Sequence, residues 1–382
     1  MKFPAKSTAI RFLAAQGAGE AEIRHLAGFA APDVFHAAAT PRGTVLFVPA
    51  LEAARAAKAA RGRAEIVTYG ELAHAAGGRK GSPAENAALW LAAHGARAVR
   101  ILPDAPWELV RAAERAGLAV VPEKGEISPA RAVKTPREIR AVAEAQRAAV
   151  AAYKTAEAML RASSVDACRR LLLGGKPLTS ERLRAKMAET MMERGAYPVE
   201  GTIASCGDDA ARPHECGHGP LRADESIVLD IFPRNGRTGF WGDLTRTLVK
   251  GKPSKELRAM HRAVARAQRL AFGMLRAGVE GRKIHRAVAA FFEREGFPTD
   301  TSRPGKECGF FHGLGHGVGL AIHETPGLRE APGRLPAGAI VTVEPGLYYP
   351  GIGGVRIEDT VLVTETGCRL LAPCPRRFVI PR

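Results

Sequence analysis

In SIVLDIFP, residues 226–233, an aspartate (Asp230) interrupts a run of Ile, Val, Leu, Ile and Phe. The pattern recurs downstream. In GFWGDLTRTLV (239–249), Asp243, Thr245 and Thr247 share one face by the two-residue period of a strand. In AIVTVEPGLYYPGIGGVRIEDTVLVT (339–364), Glu344 lies within IVTVE, and Arg356 and Glu358 share a face of VRIEDTVLV. An ionised carboxylate buried in such core-like sequence costs several kcal/mol unless it is paired or binds a metal. Only Arg246 and Arg356 offer local positive charge. One acid turned outward on a half-exposed strand is ordinary. Four of them, in a chain that also supplies nearby histidines, point to divalent cations.

The histidines stand in HGLGHGVGLAIHE, residues 312–324. His312 and His316 are four apart, as two metal-binding histidines would be on a helix. Gly313, Gly315, Gly317 and Gly319 interleave them, each costing a helix about 1 kcal/mol relative to alanine. No glutamate follows His312, so HExxH is also excluded. Extended chain or loop is the better reading, with glycines admitting another group close to the backbone; substrate and metal are the expected visitors. A second cluster, HECGH (214–218) with Cys206 upstream, matches no structural zinc spacing.

Two regions differ in rhythm. Over residues 1–130, runs such as GTVLFVPA (43–50), AEIVTYG (64–70), RAVRILP (97–103) and LAVVPEKG alternate with helical stretches at 51–62 and 106–117. Ser82-Pro83-Ala84-Glu85 is a capping box with proline at the first helical position. This alternation predicts a smaller α/β domain with a largely parallel sheet. Its histidines, His25, His36, His74 and His94, are isolated and carry no chemistry. Beyond EKGEISPARAV a second capping box, Thr135-Pro136-Arg137-Glu138, opens a helix reaching about Ala162. From 131 to 382, helices at 136–162, 180–194, 254–277 and 282–295 alternate with strand pairs, an α+β pattern with a mostly antiparallel sheet.

Composition excludes other classes. No apolar run approaches the roughly 20 residues of a membrane span, and Lys6 and Arg11 break the N-terminal stretch a secretory signal would need. A cytoplasmic location follows as the expectation, with the six scattered cysteines as free thiols. The net charge of +17 invites a nucleic-acid reading. The basic residues are spread along the chain, many on alanine-rich helices, and form no long run, so no nucleic-acid partner is expected.

The order of Asp230, GDLTRT with Asp243, HGLGH with His316, TVEPGLY with Glu344 and RIED with Glu358 resembles the pita-bread metallopeptidases. That family includes Xaa-Pro aminopeptidases, prolidases, methionine aminopeptidases and creatinase. The N-terminal half is similar to the domain that precedes the catalytic one in prolidases, aminopeptidases P and creatinase; methionine aminopeptidases lack it. The resemblance implies a pita-bread α+β catalytic domain at 131–382 behind a creatinase/prolidase-like α/β domain at 1–130.

It also implies a dinuclear centre. Asp230 would chelate one metal, His316 and Glu344 the other, and Asp243 and Glu358 would bridge them. The oxygen-rich shell suits manganese first, with cobalt, iron or zinc as alternatives. Two such ions acidify a water between them and polarise the scissile carbonyl. By the same resemblance Glu344 is the proton shuttle, His214 touches the substrate near the carbonyl or leaving nitrogen, and His323 steadies the tetrahedral intermediate. His312 shapes the pocket, and Arg356 orients Glu358 or holds a substrate carboxylate. The implied activity is hydrolysis before proline, on Xaa-Pro dipeptides or longer peptides, by a homodimer. A creatinase-like hydrolase of a small amidine or amide, or a non-catalytic pita-bread binding protein, are the alternatives; the full ligand set speaks against both. One departure stands out: Asp230 and Asp243 are separated by a longer loop, DIFPRNG in place of Asp-x-Gly. It predicts a longer hairpin turn around Pro233–Gly239 that keeps both aspartates on one side.

Overall fold

The β-branched runs of the N-terminal region become neighbours in one six-stranded sheet, ordered Ala64–Thr68, Gly43–Val48, His36–Thr40, Arg11–Ala14, Ala98–Ile101, Ala119–Pro122. Three of its pairings are parallel, and those of His36–Thr40 with its two neighbours are antiparallel. The computed structural model describes residues 10–60, 62–75, 81–123 and 129–382, and divides into two compact units, Met1–Arg131 and Ala132–Arg382. The N-terminal stretch with Lys6 and residues 124–128 of EKGEISPARAV lie outside the described residues. In the first unit Phe12, Leu46, Phe47 and Leu91 are fully buried, each contributing about 1.5–3 kcal/mol by leaving water. Ser82 caps Pro83–Ala93 through the reciprocal bonds of a capping box. Glu22, fully buried, takes charge-assisted hydrogen bonds from Arg11 at 2.6 Å and Arg131 at 2.8 Å, which offsets its desolvation. The isolated histidines are structural where their contacts are defined: His36 bonds the Tyr69 hydroxyl, and His94 stacks on Trp90.

In the second unit Thr135 caps the long helix Pro136–Ala162. Its hydroxyl accepts from the Glu138 N–H, and the Glu138 carboxylate accepts from the Thr135 N–H. With Ser180–Met192 this helix lies on a four-stranded sheet, ordered Ile203–Cys206, Ile227–Ile231, Leu244–Lys250, Val379–Ile380. Helices Lys255–Met274 and Gly281–Arg294 lie on a second sheet, wholly antiparallel, ordered Glu324–Leu328, Gly315–Gly317, Ile340–Val343, Asp359–Val363, Cys368–Leu370. Each sheet has its own apolar core beneath its helix pair.

The first of these sheets is joined to the segment 353–358, whose strand Gly353–Arg356 pairs with Gly346–Tyr349 and which leads into the second sheet, by polar contacts rather than by a continuous ladder. The Glu358 N–H donates to the Thr245 carbonyl at 3.0 Å. The Thr247 hydroxyl donates to the Arg356 carbonyl and accepts from the Arg356 N–H, both at 2.9 Å. All four residues are buried. The acid-bearing strands therefore meet at this seam.

The glycine-spaced segment is extended over Gly315–Gly317, as its composition requires. What approaches the glycines, however, is protein. A Cβ on Gly315 would lie 2.1 Å from the Thr342 carbonyl oxygen, one on Gly317 2.6 Å from that of Glu324, and one on Gly319 2.4 Å from the Glu324 carboxylate. The glycines bring neighbouring backbone close to His316, where sequence reasoning expected substrate and metal. Among the described residues no helix is long and apolar enough to cross a membrane.

Candidate metal centre

Asp230 sits opposite Thr245 in the antiparallel pairing of Ile227–Ile231 with Leu244–Lys250. Directly opposed residues share a face, and Asp243 precedes Thr245 by two, so both aspartates face the same way. The longer loop forms a small hairpin of its own: Asn235 and Phe240 bond through the backbone, Gly239 turns the chain at φ 76°, and Arg234–Asn235 pairs with Ala196–Tyr197. The extra residues are absorbed there, and the register at Asp230 is undisturbed.

The second sheet positions His316 within Gly315–Gly317, Glu344 just after Ile340–Val343 and Glu358 just before Asp359–Val363. The His316 Nε2 lies 3.5 Å from Asp243 Oδ2 and 3.4 Å from Glu344 Oε1. One ligand atom each from Asp243, His316 and Glu358 lies within 4.8 Å of the others, the one such three-ligand grouping among the described residues. The cluster at His214–His218 with Cys206 makes none. Asp230 stands beside this trio rather than within it. Its Oδ2 accepts from Arg356 Nη2 at 2.7 Å, and its Oδ1 is buried with no hydrogen-bond partner.

The protonation pattern can be read from the partners. His316 Nδ1 is 3.1 Å from the Gly317 carbonyl, which can only accept, so Nδ1 carries the hydrogen and Nε2 turns a lone pair toward the carboxylates. The centre thus consists of acceptors facing acceptors. Burial, with the charges of Glu358, Asp230 and Glu344, raises the Asp243 carboxyl well above the carboxylate range. Burial, with Glu344 and Asp230, does the same to Glu358. Burial raises Glu344 to about 7, with Asp230 adding to the rise. A cluster that resists its own charge, holds an unpartnered carboxylate oxygen and presents a neutral imidazole lone pair fits divalent cations.

Around the acids runs a supporting chain. Arg356, 3% exposed, also donates to the Tyr348 hydroxyl at 2.7 Å and to Thr245 Oγ1 at 3.2 Å. Tyr348 lies 3.0 Å from His312 Nε2; since His312 Nδ1 donates to the Gly313 carbonyl, the tyrosine O–H donates to Nε2. Burial, with the nearby Arg356, lowers His312 to about 3 and keeps it neutral. Arg356 therefore pairs directly with Asp230 and reaches Glu358 through the Thr245 hydroxyl. Thr245 donates to Glu358 Oε2 at 2.8 Å. Thr342 accepts from the His316 N–H at 3.0 Å and donates to Glu344 Oε1 at 3.1 Å. The His323 ring stands 4.3 Å from that of His316 at 73°. His214, exposed, lines with His312, Phe311, Pro350 and Glu307 a cavity of about 610 Å³. The structure thus gathers the five ligand candidates and His323, and places His214 and His312 on a cavity wall.

Tyr348 and Thr342 escaped sequence reasoning. Thr342 had a signal, lying two residues before Glu344 on the same strand face. Tyr348, in a run of apolar and aromatic residues, had none.

Residues 140–365 match the model of metallopeptidase family M24. An uncharacterized peptidase of Bacillus subtilis, YqhT, is 30% identical over 264 residues, 68% of each chain. An Xaa-Pro dipeptidase of Pyrococcus furiosus is 32% identical over 198 residues, 51% of this chain and only 54% of that relative's length. Among solved structures, an Xaa-Pro dipeptidase from Bacillus anthracis superposes with TM-score 0.80 at 24% identity, covering 98% of this chain and 96% of that one. The dipeptidase PepE from Mycobacterium ulcerans superposes with TM-score 0.76 at 27% identity, covering 98% and 94%. The chain belongs to metallopeptidase family M24, and its catalytic fold is the pita-bread fold.

Proposed function

We propose that this enzyme is an Xaa-Pro dipeptidase working through two divalent metal ions, manganese foremost, with Asp230, Asp243, His316, Glu344 and Glu358 as ligands. The observation that carries the reading is the charge balance of the centre. Four buried or half-buried carboxylates converge with one guanidinium, Arg356, and a neutral imidazole. Ionised, they leave three negative charges. One divalent cation underbalances them; two leave a single positive charge, the sign that favours an anionic nucleophile. When bound, the pair supplies an acidified water and polarises the substrate carbonyl.

The chain's own residues do the rest. Glu344, near 7 before cations bind, takes a proton from the attacking water and delivers it to the leaving proline nitrogen. Its Oε1 is kept in place by the Thr342 hydroxyl. His323, beside His316, donates to the developing oxyanion. His214 and His312 flank the cavity in which the dipeptide lies. Arg356 is engaged by Asp230, Tyr348 and Thr245, which leaves carboxylate recognition to other groups. The names of the relatives, Xaa-Pro dipeptidase and dipeptidase, support the dipeptide as substrate.

The deciding assay strips the metal, restores Mn²⁺ or Co²⁺, and offers an Xaa-Pro dipeptide and an Xaa-Pro-Yaa tripeptide. Cleavage of the dipeptide alone is expected. Cleavage of the tripeptide transfers the reading to aminopeptidase, and cleavage of neither removes it.

Metal binding should be linked to pH. The ligands bind as anions, and Asp243, Glu358 and Glu344 all have raised values without metal. Cations must therefore expel protons these groups still hold, so apparent affinity falls as pH drops through about 7 and proton release grows. Calorimetry of Mn²⁺ binding in buffers of different ionisation heat measures both. An affinity unchanged from pH 8 to 5.5 contradicts the ligand set.

A further inference from the structure

Gln146 is a buried polar side chain of the long helix Pro136–Ala162, 1% exposed. It touches no candidate ligand side chain by hydrogen bond. Its amide closes instead on the backbone of Asp243: Nε2 donates to the Asp243 carbonyl at 2.7 Å, and Oε1 accepts from the Asp243 N–H at 2.7 Å. Asp243 lies just before Leu244–Lys250, outside any ladder, so its peptide groups have no strand partner. A third bond comes from Thr360, whose hydroxyl donates to the same carbonyl at 2.7 Å. The helix is seated hard against this point. A Cβ on Gly242 would lie 2.5 Å from the Gln146 backbone nitrogen and 2.6 Å from the Ala145 carbonyl carbon.

We infer that Gln146 is a positioning residue for the metal centre: its amide clamp sets the depth of Asp243 against the repulsion of the neighbouring acids. The Asp243 and Glu358 carboxylates converge to within 4.8 Å of one another, and like charges that close repel, so the metal-free chain gains by letting them part. Two strong bonds to the Asp243 backbone, from a rigid helix, keep that carboxylate at ligand distance before cations arrive. Such outer contacts set metal affinity as strongly as ligand identity does; losing one costs about 10–100-fold in affinity or activity. The inference rests on Asp243 being a ligand, as proposed above.

The test is calorimetric titration of the metal-free, full-length protein with Mn²⁺ alone, beside thermal unfolding of the same samples. Gln146→Met keeps the side-chain length and removes both bonds. Thr360→Val, a smaller change, removes the third and stands in should the first variant fail to fold. Leu171→Ala, in the apolar core beneath the same helix pair, is the control for general destabilisation. The expected result is Mn²⁺ binding about 10–100-fold weaker in Gln146→Met and weakened in the same direction in Thr360→Val, with Leu171→Ala at wild-type affinity. Affinity within twofold of wild type in both variants overturns the inference, as does an equal loss in Leu171→Ala. If the wild-type protein takes up no Mn²⁺, the ligand assignment itself is what fails.

Discussion

Glu344→Gln is expected to lower kcat on an Xaa-Pro dipeptide by about 10²–10⁴-fold, the usual worth of a positioned acid–base group. The substitution is nearly isosteric and keeps one oxygen for the Thr342 hydroxyl, which now bonds Glu344 Oε1 at 3.1 Å. What it removes is a group able to hold a proton near neutral pH, where burial has moved this carboxyl to about 7. Its ligand role is weakened too, so the comparison is made at saturating Mn²⁺ with the bound metal counted. A variant that is fully loaded and turns over within tenfold of wild type would place the proton transfer on another residue. A variant that loses its metal but recovers full turnover at higher Mn²⁺ would make Glu344 a ligand only.

The parts of this site that could be read from the sequence share a property: their side chains break a local pattern. Asp230 within Ile-Val-Leu and Glu344 within Ile-Val-Thr-Val are conspicuous because a strand core excludes charge. The long helix showed equally well, since Thr135, Pro136 and Glu138 mark its start through local bonds the structure retains. One inner strand of the first sheet showed less. His36–Thr40 is HAAAT, an alanine-rich strand with no β-branched signal until its end. It forms because Arg11–Ala14 and Gly43–Val48 offer it a ladder on both sides, which no local reading supplies.

The supporting residues were hidden for a different reason: their roles depend on contacts across the chain. Gln146 reaches Asp243 over 97 positions, and Thr247 reaches Arg356 over 109. Gln146 did leave a trace, as a polar residue four after Val142 and three before Ala149 on the helix's buried stripe. A buried glutamine on an apolar stripe implies a partner, but not which one. Arg356 shows the same limit. Its proximity to Glu358 in sequence suggested a partner on its own strand, yet its guanidinium crosses the seam to Asp230, 126 positions away. Strand pairing, which sequence spacing does not encode, decided that contact.

Arg356→Met should therefore separate charge balance from packing. The methionine fills part of the same buried space but leaves Asp230 without its cation and Tyr348 without its donor. Breaking a buried pair by removing one partner costs about 3–5 kcal/mol, so unfolding of the metal-free variant in denaturant at pH 8 should show a loss of that size. The sign of the pH dependence follows from proton binding. Arg356 holds down the carboxyl values of Asp243, Glu344 and Glu358, Glu344 standing at about 7, so without it these groups keep their protons to higher pH when folded, and stability relative to wild type falls as pH rises through about 7. Measured as variant minus wild type, the loss should be markedly smaller at pH 5 than at pH 8. Saturating Mn²⁺ should restore part of it at pH 8, because cations supply the missing positive charge. A loss equal at both pH values and untouched by Mn²⁺ would mean that Arg356 acts by filling space, and the charge arithmetic behind a two-metal centre would lose its counter-ion.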